Sequence, residues 1–503
     1  MVKKIILLLS LLPLSEALLA GKSADIIQLC NSAFTAYQNR ELQKALELYN
    51  RALDLQPNNC RILFNTGHIY ALLGNKNQAV TRYNQSIAAD PQYTKARRFL
   101  ADEHAQKQQY ELAIQQYLEI TTDEPQDITS WYNCAHMLKT IGKYAEAIPF
   151  YKKTIDLAPN HERAQFGLAK ALLATGDFEK GWKQFEWRHH NYKNEPNKNR
   201  FLELKPENLI NKTVLLRAEF GLGDTIFFIR YAKQLKKIGA KKLIVETPAP
   251  LIPLFSLCSY IDEVVQKGTV PTNVDFTIPI LSLPLLFNTR LRPSHKTMEN
   301  KSHNKQGFAG QALETIPNTT PYLQADPDLS LQWEKKLRTI NPHNHVLNVG
   351  LCWHASPDTF LEQNRYTKRS IPLELFKSIA QLPNIKLYSL QKQDGIDQLT
   401  DETKKFIHCF DNDFDESNGR FMDTAALVQQ LDLVISVDTS IAHLAGALAT
   451  PVWILLPKSA EWRWQLDKKE TPWYPTARLF RQPEYENWKS VIETIQNLLA
   501  ELR

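Results

Sequence analysis

A period of 34 residues organises residues 24–190 of the chain. Four columns of residues recur in phase at this spacing: a proline, an aromatic ring and two small residues. The columns are Pro57, Pro91, Pro125 and Pro159; Tyr49, Tyr83, Tyr117, Tyr151 and Phe185; Ala45, Ala79, Ala113, Ala147 and Gly181; and Ala33, Gly67, Ala101, Ala135 and Ala169. Small residues let two helices approach closely, the ring fills the gap between neighbouring units, and proline ends a helix. The period therefore predicts an α-solenoid of about five stacked helix pairs over residues 24–190.

These columns resemble the tetratricopeptide repeat, a helix–turn–helix unit of this length. Stacked units of this kind form a superhelix with a concave groove, so the resemblance implies a protein or peptide partner for residues 24–190. A second interpretation stays open, in which the repeats only support the next domain or mediate self-association. Residues 191–212, rich in Asn, Lys and Pro, follow the last repeat and are predicted to be a linker.

Beyond residue 212 the pattern changes to alternating strands and helices. Residues 213–218 are predicted to be a strand, 225–237 an amphipathic helix and 242–246 the next strand. A second alternating series follows later in the chain. Because such alternation indicates parallel sheets, we expect two α/β domains, at residues 213–330 and 345–503, with a cleft between them.

The most informative stretch of the second series is DLVISVDTSIAHLAGALATPVWILLP at residues 432–457. Residues 433–437 are a β-branched apolar run of buried-strand length, whereas 441–448 carry apolar residues at helical spacing. The stretch therefore predicts a strand, a tight turn, a helix and a further strand.

Polar residues fall at the turn of this stretch. Asp438, Thr439 and Ser440 follow the strand, Ser440 or Thr439 is the expected N-cap, and His443 lies about one turn into the helix. The free N–H groups and the positive dipole end of such a helix can hold phosphate oxygens. An ordinary capped helix with a hydrogen-bonded histidine is the alternative.

Composition limits the class of protein. A chain of 503 residues with 43% hydrophobic and 23% charged residues is ordinary for a globular protein of several domains. A net charge of +6 without a dense Lys/Arg block argues against nucleic acid as a partner. The six cysteines lack CxxC spacing, which argues against a zinc site and a disulfide framework and favours reduced thiols.

Residues 1–23 differ from the rest of the chain. Lys3 and Lys4 precede IILLLSLLPLSEALLA, an apolar stretch that is shorter than a membrane span and is interrupted by Pro13 and Glu16. This pattern predicts an export signal or a membrane anchor. A hydrophobic leading helix that packs on the first repeat is the alternative.

Five segments of the second half carry a further resemblance: GLGDTIFFIRY, GLCWHASP, RSIPLELF, FMDTAALVQQLDLVISVDTSIAHLAGAL and PVWILLPKSAEWRW. With the repeats, they resemble bacterial tetratricopeptide-repeat proteins whose C-terminal half is similar to family 9 glycosyltransferases, the heptosyltransferase-like group. The resemblance implies a GT-B fold of two Rossmann-like domains, with the acceptor on residues 213–330 and the donor on 345–503. It also implies a metal-independent, inverting hexosyl- or heptosyltransferase, for which the nucleotide-sugar is a substrate and no cofactor is expected.

The resemblance assigns roles around GLGD. Asp224 takes the place of the family's catalytic carboxylate, which as a general base accepts the proton of the acceptor hydroxyl. Gly221 and Gly223 would let the backbone approach the substrate. The alternative role for Asp224 is the N-cap of the following helix.

The resemblance also assigns a donor site. The residues that match the family's donor-binding positions are Arg369, Asp438, Thr439, Ser440 and His443. The fork of an arginine suits a diphosphate, although a solvated loop charge is the alternative for Arg369. No residue is assigned to a metal.

Some positions depart from the family pattern. Phe220 and Phe227 stand where Gln is expected, and His354 and Ala355 replace a small Ala-Gly pair. Residues 290–311 form a longer insertion than expected and are predicted to be a loop near the interdomain region.

Two functions are compatible with these residues. The first is a glycosyltransferase that moves a sugar from a nucleotide-sugar donor to an acceptor recruited by the repeats. The second is a non-catalytic repeat adaptor or scaffold with a degenerate glycosyltransferase-like half. Because nucleotide sugars are cytosolic, the first favours the cytoplasm or the cytoplasmic face of a membrane, with membrane association through residues 1–20. Export by an N-terminal signal is the alternative.

Overall fold

The computed structural model describes residues 23–191, 204–291, 316–343, 345–356, 364 and 367–502. Residues 1–22 of the predicted signal or anchor lie outside this part of the chain, as do most of the predicted linker and most of the predicted 290–311 loop. Among the residues described, no helix is both long enough and apolar enough to cross a bilayer. The chain divides into two compact units: one up to Lys139 with Pro149–His161, the other Thr140–Ile148 with everything from Glu162 onward.

Helices follow the predicted period through the repeats. They are α1 (Ser23–Gln38), α2 (Leu42–Leu55), α3 (Cys60–Leu72), α4 (Lys76–Ala89), α5 (Thr94–Gln106), α6 (Tyr110–Asp123), α7 (Ile128–Thr140) and α8 (Tyr144–Leu157). Each column proline follows the second helix of a pair, as Pro57 follows α2 and Pro91 follows α4. Proline has no N–H to continue the helical ladder, so the helix ends before it. The predicted helical repeats are confirmed.

The small and aromatic columns pack as the spacing predicts. Ala45, Ala79 and Tyr83 are fully buried, and Tyr49 is nearly so. A Cβ added to Gly67 would lie 2.8 Å from the Tyr83 ring, closer than real carbon contacts. The small residue is therefore required where the ring of one helix meets the backbone of its partner.

The fifth helix pair belongs to the second unit. It consists of α9 (Glu162–Ala174) and α10 (Phe178–Phe185) and is followed by a 3-10 helix at Glu186–Asn191. Trp182 packs edge-on against Trp462 with ring centroids 5.2 Å apart, and Phe178 stacks on Trp473 at 5.8 Å. All four rings lie in the core of the α/β part. The second compact unit therefore contains the fifth helix pair, together with Thr140–Ile148, as well as the α/β part of the chain.

Two parallel sheets form the rest of the second unit. The first has the order β3-β2-β1-β4, from β1 (Thr213–Arg217), β2 (Lys242–Thr247), β3 (Glu263–Gln266) and β4 (Phe276–Pro279). The second has the order β6-β5-β7-β8-β9, from β5 (Leu347–Cys352), β6 (Ile385–Ser389), β7 (Leu433–Val437), β8 (Val452–Leu456) and β9 (Ala477–Arg481). Every residue of β7 and β8 is buried, as expected for strands covered on both faces. The predicted parallel α/β region is confirmed.

Helices connect these strands, and one follows the last of them. They are α11 (Leu222–Phe228), α12 (Ala232–Lys237), α13 (Ile252–Ser256), α14 (Leu283–Leu286), α15 (Pro327–Ile340), α16 (Lys377–Ala380), α17 (Met422–Gln429), α18 (Ser440–Ala447) and α19 (Trp488–Glu501). The prediction of one uninterrupted helix at 225–237 is wrong, because a 3-10 turn at Ile229–Tyr231 separates α11 from α12. Arg230 Nε donates to the Phe227 carbonyl at 2.7 Å, which satisfies a carbonyl at the end of α11 and helps end that helix.

Candidate functional site

The turn between β7 and α18 presents backbone N–H groups that the side chain of its N-cap residue does not cap. Thr439 is the N-cap of α18 and has extended backbone, but its side chain makes no capping hydrogen bond. Its hydroxyl instead lies 3.1 Å from Ser436 Oγ and 3.6 Å from Cys352 Sγ. Ser440 is the first residue of the helix. The first turn and the positive end of the helix dipole can therefore stabilise an anion.

Arg369 is held beside this helix end. Its Nη1 donates to the backbone carbonyl of Asp438 at 2.8 Å. Asp438 itself is buried at the carboxyl end of β7. Burial raises the pKa of the Asp438 carboxyl, and the guanidinium groups of Arg369 and Arg463 oppose that rise. Two cations therefore act on the carboxylate next to the helix N-terminus.

His443 is a buried, neutral imidazole. Its Nδ1 lies 2.9 Å from the Tyr474 hydroxyl, and its ring stacks on Trp464 with centroids 5.4 Å apart. Burial lowers the pKa of His443 well below its ordinary value, and the positive charge of Arg463 lowers it further. His443 can orient a ligand or share a hydrogen bond with it, but it supplies no positive charge.

The neutral state of His443 predicts a pH dependence of stability. Below a pH of about 6.5 the unfolded chain takes up a proton at His443 that the folded chain excludes. The free energy of unfolding therefore decreases as the pH is lowered below this value. We expect the stability advantage of the wild type over His443→Gln to shrink by up to about 1.4 kcal/mol per pH unit below that value. Denaturant titrations of both proteins at several pH values measure this difference. His68, whose pKa burial lowers to about 4, is common to both and cancels. A difference that does not change with pH would contradict a neutral His443.

Asp224 lies inside the first turn of α11. The helix begins at Leu222, and one Asp224 carboxylate oxygen accepts the Gly221 backbone N–H at 3.4 Å. The other oxygen is ion-paired with Arg463. Asp224 is therefore not the N-cap, a position that Gly221 occupies. Its carboxylate instead connects α11 with a residue that follows β8.

Gly223 lets α11 and α18 touch. A Cβ on Gly223 would lie 3.1 Å from His443 Cδ2 and 3.5 Å from Ser440 Cα. A larger residue would push the two helices apart. Asp224 lies in α11, which follows β1 of the first sheet, and α18 follows β7 of the second sheet. The glycine therefore allows Asp224 to lie near the N-terminus of α18.

Arg463 is a site residue that the sequence analysis missed. It lies in the 3-10 helix Trp462–Trp464, and its side chain is only 10% exposed. Its guanidinium lies over the rings of Phe227 and Trp462, 5.3 and 4.9 Å from their centroids. The available signal was a cation between two tryptophans shortly after a buried parallel strand, where ligands of α/β proteins bind.

One cavity of about 640 Å³ joins these groups. The predicted site residues that line it are Gly221, Gly223, Asp224, Arg369, Asp438, Thr439, Ser440 and His443. Phe166 and Lys170 of α9 and Phe185 of α10 also line it, so the fifth helix pair contributes to its wall. Within the described ranges, no cluster of three His, Cys, Asp or Glu side chains could hold a metal ion.

The positions that depart from the family pattern divide into two groups. Phe220, His354 and Ala355 line the cavity, whereas Phe227 is fully buried against His443. Phe220 is 49% exposed and has φ of +47°, a left-handed conformation that is uncommon for a residue with a Cβ. The cavity wall therefore carries an exposed aromatic ring at Phe220 and a half-buried imidazole at His354, where the family pattern predicts Gln and a small residue.

Parts of the chain match known families. Models of the tetratricopeptide repeat match residues 35–74, 64–128 and 142–181. Residues 420–498 match glycosyltransferase family 9 (heptosyltransferase). This last match contains Asp438 and Arg463 and does not extend to Asp224 or Arg369.

Individual proteins are also similar to this chain. Protein FlbA of Caulobacter vibrioides is 23% identical over 430 residues, which is 75% of this chain and 68% of FlbA. The crystal structure of MamA is 20% identical and covers 32% of this chain and 94% of MamA, with a TM-score of 0.30. The MamA RS-1 ArsTM double mutant is 16% identical and covers 35% of this chain and 100% of its own, with a TM-score of 0.32.

Proposed function

We propose that this chain, which joins tetratricopeptide repeats in its N-terminal half to a family 9 glycosyltransferase domain near its C-terminus, transfers a sugar from a nucleotide-sugar donor to an acceptor recruited by the repeats. In this proposal the two parallel sheets are the two halves of a GT-B fold. The first carries the acceptor side and the second the donor side.

One observation carries the proposal: the Asp224 carboxylate and the uncapped N-terminus of α18 line the same cavity. Glycosyl transfer needs a base for the acceptor hydroxyl and a stabilising group for the charge that grows on the leaving diphosphate. A carboxylate suits the first task. A helix N-terminus next to Arg369 suits the second.

The reaction follows from this division of roles. The acceptor hydroxyl attacks the anomeric carbon while its proton passes to the Asp224 carboxylate. The bond from the anomeric carbon to the diphosphate oxygen breaks, and its electron pair stays on the diphosphate. The first-turn N–H groups of α18 and the Arg369 guanidinium stabilise that charge. A single displacement of this kind inverts the anomeric configuration. It requires no metal ion and no resident cofactor.

The proposal also concerns the acceptor and the compartment. Because Phe166 and Lys170 of the fifth helix pair line the cavity, an acceptor held by that pair would lie next to the reacting groups. We therefore favour a protein or peptide acceptor. Because nucleotide sugars are cytosolic, the reaction belongs to the cytoplasm or the cytoplasmic face of a membrane, with residues 1–20 as an attachment.

A panel of nucleotide sugars and nucleoside diphosphates tests the proposed function. A donor that binds only the folded state stabilises it by about 2.7 kcal/mol at a concentration one hundred times its dissociation constant, which raises the melting temperature. We expect the nucleotide sugars and the diphosphate of one nucleoside to raise the melting temperature. The sugar of that donor should also be hydrolysed or transferred slowly. Binding without turnover would favour the adaptor alternative. A melting temperature unchanged by the whole panel would contradict the proposal.

The donor side predicts two variants with weaker diphosphate binding. Arg369→Ala removes a cation at the helix end and should weaken the binding of the stabilising nucleoside diphosphate by about 1.5–3 kcal/mol, the range for hydrogen bonds to charged groups. Ser440→Pro removes one first-turn N–H at a position where helices tolerate proline, and should also weaken binding. Calorimetric titration measures both, with Arg338→Ala, an exposed arginine on α15, as the matched control. Wild-type affinity in both variants would contradict the donor assignment.

A further inference from the structure

Three phenylalanine rings line the cavity. Phe166 belongs to α9, Phe185 to α10 and Phe220 to the loop before α11. The rings of Phe166 and Phe185 have their centroids 5.2 Å apart. The Arg188 guanidinium lies over the Phe185 ring, 5.1 Å from its centroid, and donates two hydrogen bonds, of 3.1 and 3.0 Å, to the Glu219 carboxylate. Because Glu219 directly precedes Phe220, these contacts hold the loop beside the fifth helix pair.

Phe220 combines an exposed ring with a strained backbone. The residues on both sides of it are fixed, Glu219 by Arg188 and the Gly221 N–H by the Asp224 carboxylate at 3.4 Å. Its φ of +47° lies in the left-handed region, which a residue with a Cβ adopts where its surroundings impose it, often at a ligand site. With 49% of the residue exposed, the ring gains little from burial in the folded chain alone. It therefore offers apolar surface to a ligand inside the cavity.

The charged groups next to these rings are paired with one another. Lys170 lies 3.7 Å from Glu461, and Arg188 is ion-paired with both Glu186 and Glu219. Opposite charges in contact exert little net field on a ligand, so the attraction of this part of the cavity comes from the rings. The hydroxyl groups of a carbohydrate acceptor need polar partners, which phenylalanine rings do not supply. An apolar side chain fits this surface better.

We propose that Phe166, Phe185 and Phe220 form an acceptor subsite that holds an apolar side chain of an extended peptide, so that a nearby serine or threonine hydroxyl of the peptide meets Asp224. This inference rests on the proposed function. Asp224 follows Phe220 by four positions and is bonded to the Gly221 N–H, so the subsite adjoins the proposed base. Two of the three rings belong to the last helix pair of the repeats, a class of structure that holds polypeptides.

The geometry of an extended peptide predicts which side chains reach the subsite. Alternate side chains point to the same face and are roughly 6.5 Å apart along the chain. An apolar residue two positions before or after the acceptor hydroxyl therefore faces the protein together with that hydroxyl. The acceptor should be a serine or threonine with a large apolar residue at one of these positions.

Peptide binding to the full-length chain tests this subsite. The probes are an acetylated Gly-Phe-Gly-Ser-Gly-Phe-Gly peptide and its counterpart with Ala at both Phe positions, titrated by calorimetry. We expect the wild type to bind the first peptide about 5- to 30-fold more tightly. In Phe220→Ala this ratio should fall to about two-fold or less. Leu331→Ala removes an equally exposed apolar side chain from α15, outside the cavity, and is the matched control that should keep the wild-type ratio.

A second variant separates the loss of the ring from a loss of folding. Phe220→Gly also removes the ring, but glycine adopts a left-handed conformation without strain. Its melting temperature should be no lower than that of Phe220→Ala, and its ratio for the two peptides should be equally low. If Phe220→Ala does not fold, a wild-type ratio in Phe220→Gly would overturn the subsite.

A photoreactive peptide locates the bound side chain. Benzoylphenylalanine replaces the first Phe of the probe, and irradiation followed by peptide mapping identifies the attachment site. We expect attachment within Phe166–Phe185 or within residues 219–224. Attachment only elsewhere in the chain would overturn the inference.

The outcomes separate this inference from the proposed function. Equal binding of the two peptides by the wild type, or binding of neither, overturns the subsite and leaves donor binding and the proposed function standing. If decanoate binds instead of the peptides and Phe220→Ala weakens it, the occupant is an acyl chain and the peptide assignment is wrong. If no nucleotide sugar or nucleoside diphosphate stabilises the chain, the proposed function fails and the acceptor role fails with it. A peptide ratio that depends on Phe220 would then favour the adaptor alternative.

Discussion

Asp224→Asn should lower the rate of sugar transfer by about 10²- to 10⁴-fold, the usual contribution of a positioned general base. Asn keeps the size of the side chain and can still accept the Gly221 N–H, so α11 should remain intact. It cannot take a proton from the acceptor hydroxyl. The measurement is the transfer rate with the donor identified by thermal stabilisation, together with the melting temperature of the variant.

The control for this prediction is Asp328→Asn. Asp328 also lies in the first turn of a helix, α15, but on the exposed surface. It should change neither rate nor melting temperature by much. Near-normal turnover by Asp224→Asn would rule out Asp224 as the base. Under the proposed function, donor affinity should also respond to this carboxylate, because Asp224 is ion-paired with Arg463, a residue that follows β8 of the second sheet.

A chain that begins at residue 188 should fail to fold cooperatively. It would lack α9 and α10, and with them Phe178, Trp182 and Phe185, each 2% exposed in the core of the second unit. Replacing one buried aromatic residue by Ala costs about 3–5 kcal/mol. The loss of all three aromatic side chains is therefore comparable with the whole free energy of unfolding of a typical domain, about 5–15 kcal/mol. Calorimetry and near-ultraviolet circular dichroism should show no sharp transition.

A chain that begins at Thr140 is the matched control. It retains Thr140–Ile148 and everything from Glu162 onward, which together form the second compact unit. It should unfold in one sharp transition and bind the nucleoside diphosphate as the full chain does. If the two truncated chains melted at the same temperature, the inference that α9 and α10 stabilise this core would be wrong.

The repeats and the turn between β7 and α18 could be predicted because their signals are local. Columns at a spacing of 34 residues encode contacts between adjacent helices, such as that of Gly67 with Tyr83. The run at 433–437 became β7 without a change of bounds, because a run rich in β-branched residues suits a strand buried on both faces. In both cases the residues that form the contacts are the same residues that form the recognisable sequence pattern.

The rest depends on contacts between residues far apart in sequence. Asp224 and Arg463 are ion-paired although 239 positions separate them, and neither segment contains a pattern that refers to the other. The grouping of α9 and α10 with the sheets likewise depends on Trp182 meeting Trp462. A sequence period reflects the contacts that all neighbouring repeats share. It does not reveal a packing surface that only one repeat has, such as the face of the fifth helix pair that contacts the α/β part. The substitution of Gly181 into the alanine column next to Trp182 was the local hint.

The shared core of α9, α10 and the two sheets determines where this chain can change its number of repeats during evolution. A gain or loss of one 34-residue unit within α1–α6 leaves every contact of Trp182 and Phe178 in place. The same event at α9 or α10 would remove part of the cavity wall and of the core at once. Descendants of an ancestral chain can therefore vary the length of the array from its N-terminal side, while the pair next to the sheets is inherited together with them.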